Sequence, residues 1–428
     1  MRLPMMFLLP AAPLAAMEVQ ILTPPANTMS FGRILAVSAD GNQMAGEAIV
    51  LAGLGREAVT WSATGGMVFA AISPTDPALE IATGISSDGK VVAGWQRTTR
   101  DNGFVRRTGG SNPTLVNFKD YRVCALARDG SIAVGTDATG EKSTSYNAAR
   151  WNAVSGARTA LADLAGGATD AAFLAISADK TTCVGYGHDA SGRLAVRSVN
   201  GGALAAVGDL TGGRVFSEAL GVSSDGSVIV GRSLSSRGME AFRWTSAGGM
   251  VGLGDLPGGA FVSEATGVAD DGTVVVGVAE SELGPEVFVW TAAQGMRSLR
   301  TVALAGGLDF GGWQFTGACP VVSGDGNVLA VNATDLGQDA RFLRISGLRG
   351  AAATTPVAAV DCARTDDTFR VRFTAEPGLR YQMQCSETLG TAAAWQDLGG
   401  VITGDGTPAE LSVPVDRTAC FFRLIVVP

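Results

Sequence analysis

Histidine is nearly missing from this chain of 428 residues: His188 stands alone, which removes multi-histidine metal sites and leaves no redundancy for a histidine-based catalytic triad. Tyrosine is also scarce, at Tyr121, Tyr146, Tyr186 and Tyr381. Charged residues make up 17% of the chain and balance to −8, with no basic cluster, so a nucleic-acid footprint is absent and no such partner is expected. The acidic excess is spread singly through turns and argues for solubility. No apolar run reaches the roughly 18 residues that a spanning helix requires, so no membrane span is expected. Cysteines are few for this length. Cys124, Cys183 and Cys319 fall in expected strands as small buried hydrophobes. Cys362, Cys385 and Cys420 fall near the C-terminus, where export would permit one disulfide of undetermined pairing. No cofactor or metal is expected: Gly254–Gly259 lacks the Lys-Ser/Thr of a phosphate cradle, and Asp270-Asp271 lacks further oxygen ligands at alternating positions.

Glycine, by contrast, is abundant at 58 residues, as many tight turns require. Much of it belongs to a phrase that recurs along the chain: small or apolar residues, Ser-x-Asp-Gly or a near copy, then an apolar run closing on Gly. The turn aspartates are Asp40, Asp88, Asp129, Asp179, Asp225, Asp271 and Asp325. They follow one another at roughly 40 to 55 residues, a period that marks an array of one supersecondary unit. In the fifth copy, Ala219–Ser223 and Ser227–Val230 flank the turn, Glu240–Trp244 supplies a third strand and Met250–Leu253 a fourth. Four short strands in about 46 residues are the content of a propeller blade, with a β-solenoid coil ranked second. Helical repeats are excluded, because no stretch shows the apolar periodicity of a helix.

The third strand gives an independent count. Its closing positions are Trp61, Arg106, Trp151, Arg197, Trp244, Trp290 and Arg344, each about twenty positions past its turn aspartate. The tryptophans are expected in the core between units, and the arginines, with Arg150 and Arg243, at a repeated structural position. In the fourth copy Lys180 stands where the others have Gly, so a different turn type is expected there. The seventh copy lacks a fourth strand, while Glu18–Leu22 precedes the first copy as an orphan. The orphan is expected to complete the seventh blade as its outermost strand and so cover an exposed edge.

Residues 1–16 carry one positive charge, an apolar stretch and small residues, the layout of a secretory signal. The expected organisation is a signal peptide over 1–16, a seven-bladed β-propeller over 17–348, a linker over 349–355 and a small C-terminal β-sandwich over 356–428. The fold class is all-β.

Gly221–Gly231, Ala241-Phe-Arg-Trp244, Gly248–Met250 and Leu253–Gly259 resemble the HAF repeat, an extracellular repeat of bacterial proteins. The sixth copy matches through Gly267-Val268, Asp271-Gly272, Val274–Gly277, Phe288–Trp290 and Gly295-Met296. The family's His-Ala-Phe is met here by Glu240-Ala241-Phe242. The resemblance covers residues 18 to about 348 and implies export to the cell surface or beyond; it transfers no catalytic residue. The segment beyond the linker alternates as in the immunoglobulin- or fibronectin-like modules of exported bacterial proteins.

The Ser-x-Asp-Gly turn invites comparison with the Asp-box of sialidases, but that turn is structural and no tyrosine nucleophile with an arginine cluster stands out. No catalytic residue is assigned. Trp95, Tyr146 and Tyr186, in loops between second and third strands, are the candidate ligand-binding residues, on the face where loops vary over a rigid scaffold. The expected role is a non-catalytic binding or scaffolding protein outside the cytoplasm, with a polysaccharide or a surface protein as partner. The alternative is an extracellular carbohydrate-active enzyme, a glycoside hydrolase or lyase, whose mark would be a convergent carboxylate pair near the centre.

Overall fold

The computed structural model describes residues 17–427 except 27, 51–54, 71–78, 98–100, 108–114, 120, 139–144, 307, 311, 316–318, 336–338, 354–357, 365–367, 375–379, 387–395, 404–406 and 415–420. The chain is all-β, apart from the short helices Leu299–Ala305 and Leu348–Ala353. Each copy of the repeat forms one antiparallel four-stranded unit, and these units make up a β-propeller scaffold. Units 1 to 6 span residues 28–69, 79–119, 121–161, 172–208, 212–252 and 258–298. Unit 7 takes three strands from Val321–Val322, Val328–Thr334 and Ala340–Ser346. Its fourth is the orphan Glu18–Leu22, paired in register from Glu18 opposite Ser346 to Leu22 opposite Phe342. The two ends of the array thus share one sheet, as expected.

The turn phrase works through its serine. In unit 5 the Ser223 hydroxyl donates to Asp225 Oδ1 (2.8 Å) and accepts from the amide of Val228 (2.9 Å), the residue that starts the returning strand. Ser38, Ser86, Ser177 and Ser323 make the equivalent pair of bonds in their own units. Gly226 at φ 72° takes the left-handed conformation that closes the turn. Lys180 adopts φ 66°, and its amide bonds the Ser177 carbonyl (3.0 Å) as that of Gly226 bonds Ser223 (3.1 Å). The expected change of turn type therefore does not occur. The left-handed cost of about 1 kcal/mol is opposed by an ion pair from Lys180 Nζ to Asp129 of unit 3 (2.8 Å).

Six residues past the turn aspartate stands the glycine that closes the apolar run. At Gly231 a Cβ would land on the Glu218 carbonyl oxygen, where the inner strand bulges at Ala219–Gly221. Gly46, Gly94, Gly135, Gly185 and Gly277 meet the same carbonyl of their own inner strands. Unit 7 has Val331 there, and its described inner strand is Val321–Val322.

Neighbouring turns are tied by backbone bonds. Asp179 N donates to Ser224 O, Ser224 N to Asp270 O, Asp270 N to Gly324 O and Asp325 N to Ala39 O, the last joining unit 7 to unit 1. The two turns without serine, Ala127-Arg128-Asp129 and Ala269-Asp270-Asp271, instead carry a charge at the middle position. Arg128 and Asp270 form a bidentate ion pair between the non-adjacent units 3 and 6.

Apolar clusters lie between successive units. One joins Val228, Val230 and Ala241 of unit 5 to Ala265, Val275 and Phe288 of unit 6. Another joins Ile34, Met44 and Trp61 of unit 1 to Val328, Ala330 and Phe342 of unit 7. Trp61, Trp151 and Trp244 are buried as expected, with Trp290 packed partly buried. The arginines of the same repeat position lie over the next unit's indole: Arg197 over Trp244 at 4.6 Å and Arg344 over Trp61 at 5.9 Å. Cys183 is buried; Cys319 precedes the strand Val321–Val322 rather than lying within a strand.

The stretch expected as a linker over 349–355 is largely the helix Leu348–Ala353, whose Leu348 and Ala351 pack with Leu299, Val302 and Ala303. Alanine-rich sequence favours helix, and its small side chains permit this close packing. Beyond it stand two three-stranded antiparallel sheets. One orders Ala358–Arg364, Thr368–Thr374 and Pro408–Pro414; the other orders Gln396–Thr403, Arg380–Ser386 and Phe421–Val427. Val371, Phe373, Tyr381 and Met383 are buried, with the Phe373 and Tyr381 rings 4.9 Å apart. Residues 1–16 and Trp395 lie outside the described residues.

Candidate functional site

In an up-and-down unit the Ser-x-Asp-Gly turns share one face, and the second-to-third and fourth-to-first connections share the other. On that loop face the chain stops repeating. Seven residues past each turn aspartate stand Glu47, Trp95, Thr136, Tyr186, Arg232, Val278 and Asn332. Each follows the closing glycine or, in unit 7, Val331. The frame is constant there and the side chain is not.

Trp95 lies within the strand Val91–Arg97 and not in a loop. Its indole is covered by the Arg122 guanidinium at 4.7 Å and that of Arg97 at 5.6 Å. Both arginines bond Asp101, Arg97 Nε to Oδ1 at 2.6 Å and Arg122 Nε to Oδ2 at 2.5 Å. Burial works to raise the Asp101 pKa, but the two arginines outweigh it and hold the carboxyl below the usual range.

Tyr186 likewise lies in a strand, Thr182–Asp189, with the Arg193 guanidinium 4.2 Å above its ring. Burial, aided by the Asp170 charge, pushes its phenol up to about 12. His188 belongs to this strand and is held rather than solvent-facing: Nδ1 lies 2.8 Å from the Asp170 carbonyl, and its amide donates to Asp163 (2.9 Å). Tyr146 heads the third strand of unit 3, and its backbone pairs with residues 169–171. It also lies within electrostatic reach of Arg97. Tyr146 and Tyr186 therefore meet at the junction of units 3 and 4, around Asp170 and Arg193, while Trp95 belongs to the junction of units 2 and 3. All three share one arc of the loop face. Guanidinium groups cover the rings of Trp95 and Tyr186, so stacking a sugar on either requires displacing an arginine.

The arc continues through residues that sequence reasoning did not single out. Arg193 bonds Asp170 (2.9 Å) and Glu218 (2.5 Å); Arg232 bonds Glu218 (2.6 Å) and Glu264 (2.6 Å). Phe216 lies between the two guanidinia, at 6.0 and 5.8 Å. In unit 1, Glu47 is fully buried and its Oε1 takes Arg33 (2.8 Å) and Arg56 (2.5 Å), while Oε2 has no hydrogen-bond partner. For Arg33, Glu47, Glu218, Arg232 and Glu264 the available signal was position, seven residues either side of the turn aspartate. Charge alone could not reveal the pairs Arg193–Glu218 and Arg232–Glu264, because their partners belong to different copies.

Two further acidic groups on this face, Asp255 and Asp209, are structural. Asp255 accepts the amides of Leu256 (2.9 Å) and Val262 (2.9 Å), and Asp209 that of Leu210, fastening the Gly-Asp-Leu connections between units. Burial raises the pKa of both. A cavity of about 280 Å³ opens between units 5 and 6, lined by Arg232, Met239, Val262, Glu264, Val278, Ala279, Glu280 and Pro285.

No family model matches this chain, and no curated protein matches it. Solved structures do. The TolB protein of Acinetobacter baumannii aligns over 74% of this chain and 79% of its own, at 11% identity and TM-score 0.41. An oligogalacturonate lyase of Vibrio parahaemolyticus aligns over 77% and 93%, at 11% identity and TM-score 0.49. The β-propeller domain of the trilobed protease of Pyrococcus furiosus, described as having an open velcro topology, aligns over 73% and 95%, at 10% identity and TM-score 0.49. At such values the likeness carries nothing about activity. No helix among the described residues is long and apolar enough to cross a membrane.

Proposed function

We propose that the chain is an exported seven-bladed β-propeller with a C-terminal β-sandwich, serving as a non-catalytic binding scaffold at the cell surface or outside the cell. A polysaccharide or a surface protein is its partner class. The observation that carries this reading is the arc from Trp95 to Glu264. It sets arginines, carboxylates and aromatic rings side by side on the face where the repeat is most broken, while the opposite face keeps the turn phrase with few departures. Functional residues concentrate on such variable positions over rigid scaffolds. Seven copies of the turn phrase, the N-terminal strand in unit 7 and the shared core of units 1 and 7 support a closed seven-bladed ring. The signal-like residues 1–16 and the likeness of the fifth and sixth copies to the HAF repeat support export.

One observation speaks for a glycoside hydrolase or lyase: Glu218 and Glu264 converge on Arg232. Both are engaged in ion pairs with that guanidinium, so neither can serve as a proton donor without breaking one, and the binding reading is preferred. Purified residues 17–428 applied to arrays of polysaccharides and bacterial surface glycans, with product analysis of every well, separate the two. Retention without cleavage is expected. Cleavage products would establish the enzyme, and an empty array would leave a protein partner.

A further inference from the structure

The junction of units 4 and 5 and that of units 5 and 6 are built on the same template. Fourteen residues past the turn aspartate stand Arg193 and Met239; nine before the next stand Phe216 and Val262; seven before it Glu218 and Glu264; seven after it Arg232 and Val278. At the first junction Glu218 receives two guanidinium groups, from Arg193 and from Arg232, packed on either side of Phe216. At the second, Glu264 receives, among the described residues, the single guanidinium of Arg232, on its Oε2 (2.6 Å). Met239, Val262 and Val278 replace the two arginines and the ring, and the space they vacate is the 280 Å³ cavity. That volume would hold several waters.

The charge of the cavity is acidic. Arg232 is shared with Glu218, whereas Glu264 and Glu280 both line the cavity. The Glu280 side chain has no cationic or hydrogen-bonding partner among the described residues, and Pro285 lines the cavity beside it. Val262 at the wall is 43% exposed. An anion is disfavoured here and a purely apolar ligand would leave the carboxylates unanswered. A flexible aliphatic stem ending in a cation answers both, with the stem on Met239, Val262 and Val278 and the charge at Glu264 and Glu280.

We infer that the cavity between units 5 and 6 receives an arginine side chain of a partner polypeptide, which takes the place that Arg193 fills in cis one junction earlier. The inference rests on the binding-scaffold reading and gives that reading a specific anchor. A free guanidinium compound shares the chemistry, and the test separates the two sources.

The experiment uses residues 17–428 labelled with ¹³C at the methionine methyls, so that Met239 reports from the cavity wall. The probes are Nα-acetyl-arginine methylamide, its uncharged norleucine counterpart, free arginine and a short peptide with one internal arginine. The expected result is a saturable shift of the Met239 methyl with the blocked arginine and the peptide, and none with norleucine. Glu280→Gln should weaken that binding about tenfold, the effect of one charge-assisted bond. Met239→Arg, which rebuilds the first junction at the second, should abolish probe binding seen by saturation transfer while the protein melts no lower. Preference for free arginine over the blocked form would move the site from a partner's side chain to a small ligand and overturn the inference. No Met239 shift, or an equal shift with norleucine, would overturn it too. Polysaccharide or surface-protein retention that survives Met239→Arg would also do so, leaving the scaffold reading intact. Arginine binding in a protein that retains no polymer and no protein partner would instead remove the scaffold reading.

Discussion

On the turn face, units 1, 2, 4, 5 and 7 hold the same serine-to-aspartate bond and the same serine-to-amide bond, at nearly the same distances. On the loop face, even the two most alike junctions differ: Arg193, Phe216 and Arg232 crowd one, and Met239, Val262 and Val278 leave the other open. The hydrogen-bonded turn uses only its own residues, so it can be copied without regard to neighbours. The loop face joins residues of different copies, so each substitution there must be answered in the next unit. Repetition thus marks what builds the array, and its interruption marks what the array is free to use.

Substitutions should separate the faces. The largest effect is expected from deleting residues 17–24, which leaves the strand Ala340–Ser346 with an unpaired edge and opens the core around Leu22 and Phe342. Loss of a cooperative melt in calorimetry is the expected result, and an unchanged melt would refute closure by this strand. Next comes Gly231→Ala, which drives a Cβ into the Glu218 carbonyl and should cost roughly 3 kcal/mol or more in urea unfolding. Val331→Ala, at the same repeat position in unit 7, should cost about 2 kcal/mol, the loss of two buried methyl groups with the cavity they leave.

Acid should act on the turn face. Burial works to raise the Asp129 pKa, but the Lys180 ammonium and the Ser131 hydroxyl and amide bring it down to about 2 from an ordinary 3.8. Asp88 and Asp225 are also lowered, chiefly by hydrogen bonds from Ser86 and from Ser227. A depressed carboxylate stabilises fully above its unfolded value and loses that contribution as pH falls through the folded one. The melting temperature should therefore fall from about pH 4 towards pH 2, and less steeply in Lys180→Gly. Asp209 and Asp255, raised by burial, act with the opposite sign. Ser223→Ala should cost about 1 kcal/mol without changing ligand retention. The smallest effect on stability, under about 1 kcal/mol, is expected for Arg97→Gln on the loop face, because its side chain is 49% exposed and Asp101 keeps Arg122. There the change should appear in retention on an array, which sharpens the contrast between the faces.

Much of this fold was legible because the turn phrase carries its own mechanism: the serine, aspartate and glycine of each copy complete the turn locally. The orphan strand Glu18–Leu22 could be placed because the seventh copy visibly lacked one. Legibility ended wherever a residue's partner stands in another copy. Lys180 looked incompatible with its turn because Asp129, which engages it, belongs to the preceding copy. Trp95 and Tyr186 were noticed as aromatics in expected loops, but the strands run further than the polar sequence suggested. The arginines that cover their rings come from the same strand (Arg97), a neighbouring strand (Arg193) or the next unit (Arg122). The segment expected as a linker over 349–355 is largely helical because its alanines bury by closeness to a second short helix, a contact that no amphipathic stripe in the sequence marks.

An array of near-identical units also faces an error that an irregular fold does not, which is to miscount itself. Most turns here could exchange places with little loss, and a chain that skipped a unit, or borrowed one from a second molecule, would still find compatible hydrogen bonds. Besides Lys180 with Asp129, the position-specific pair is Arg128 with Asp270, which meet across the array, three units apart. Shifted by one unit, Arg128 would meet Ser224 or Gly324, neither of which carries a charge. An array with the wrong number or order of units would therefore forfeit this ion pair.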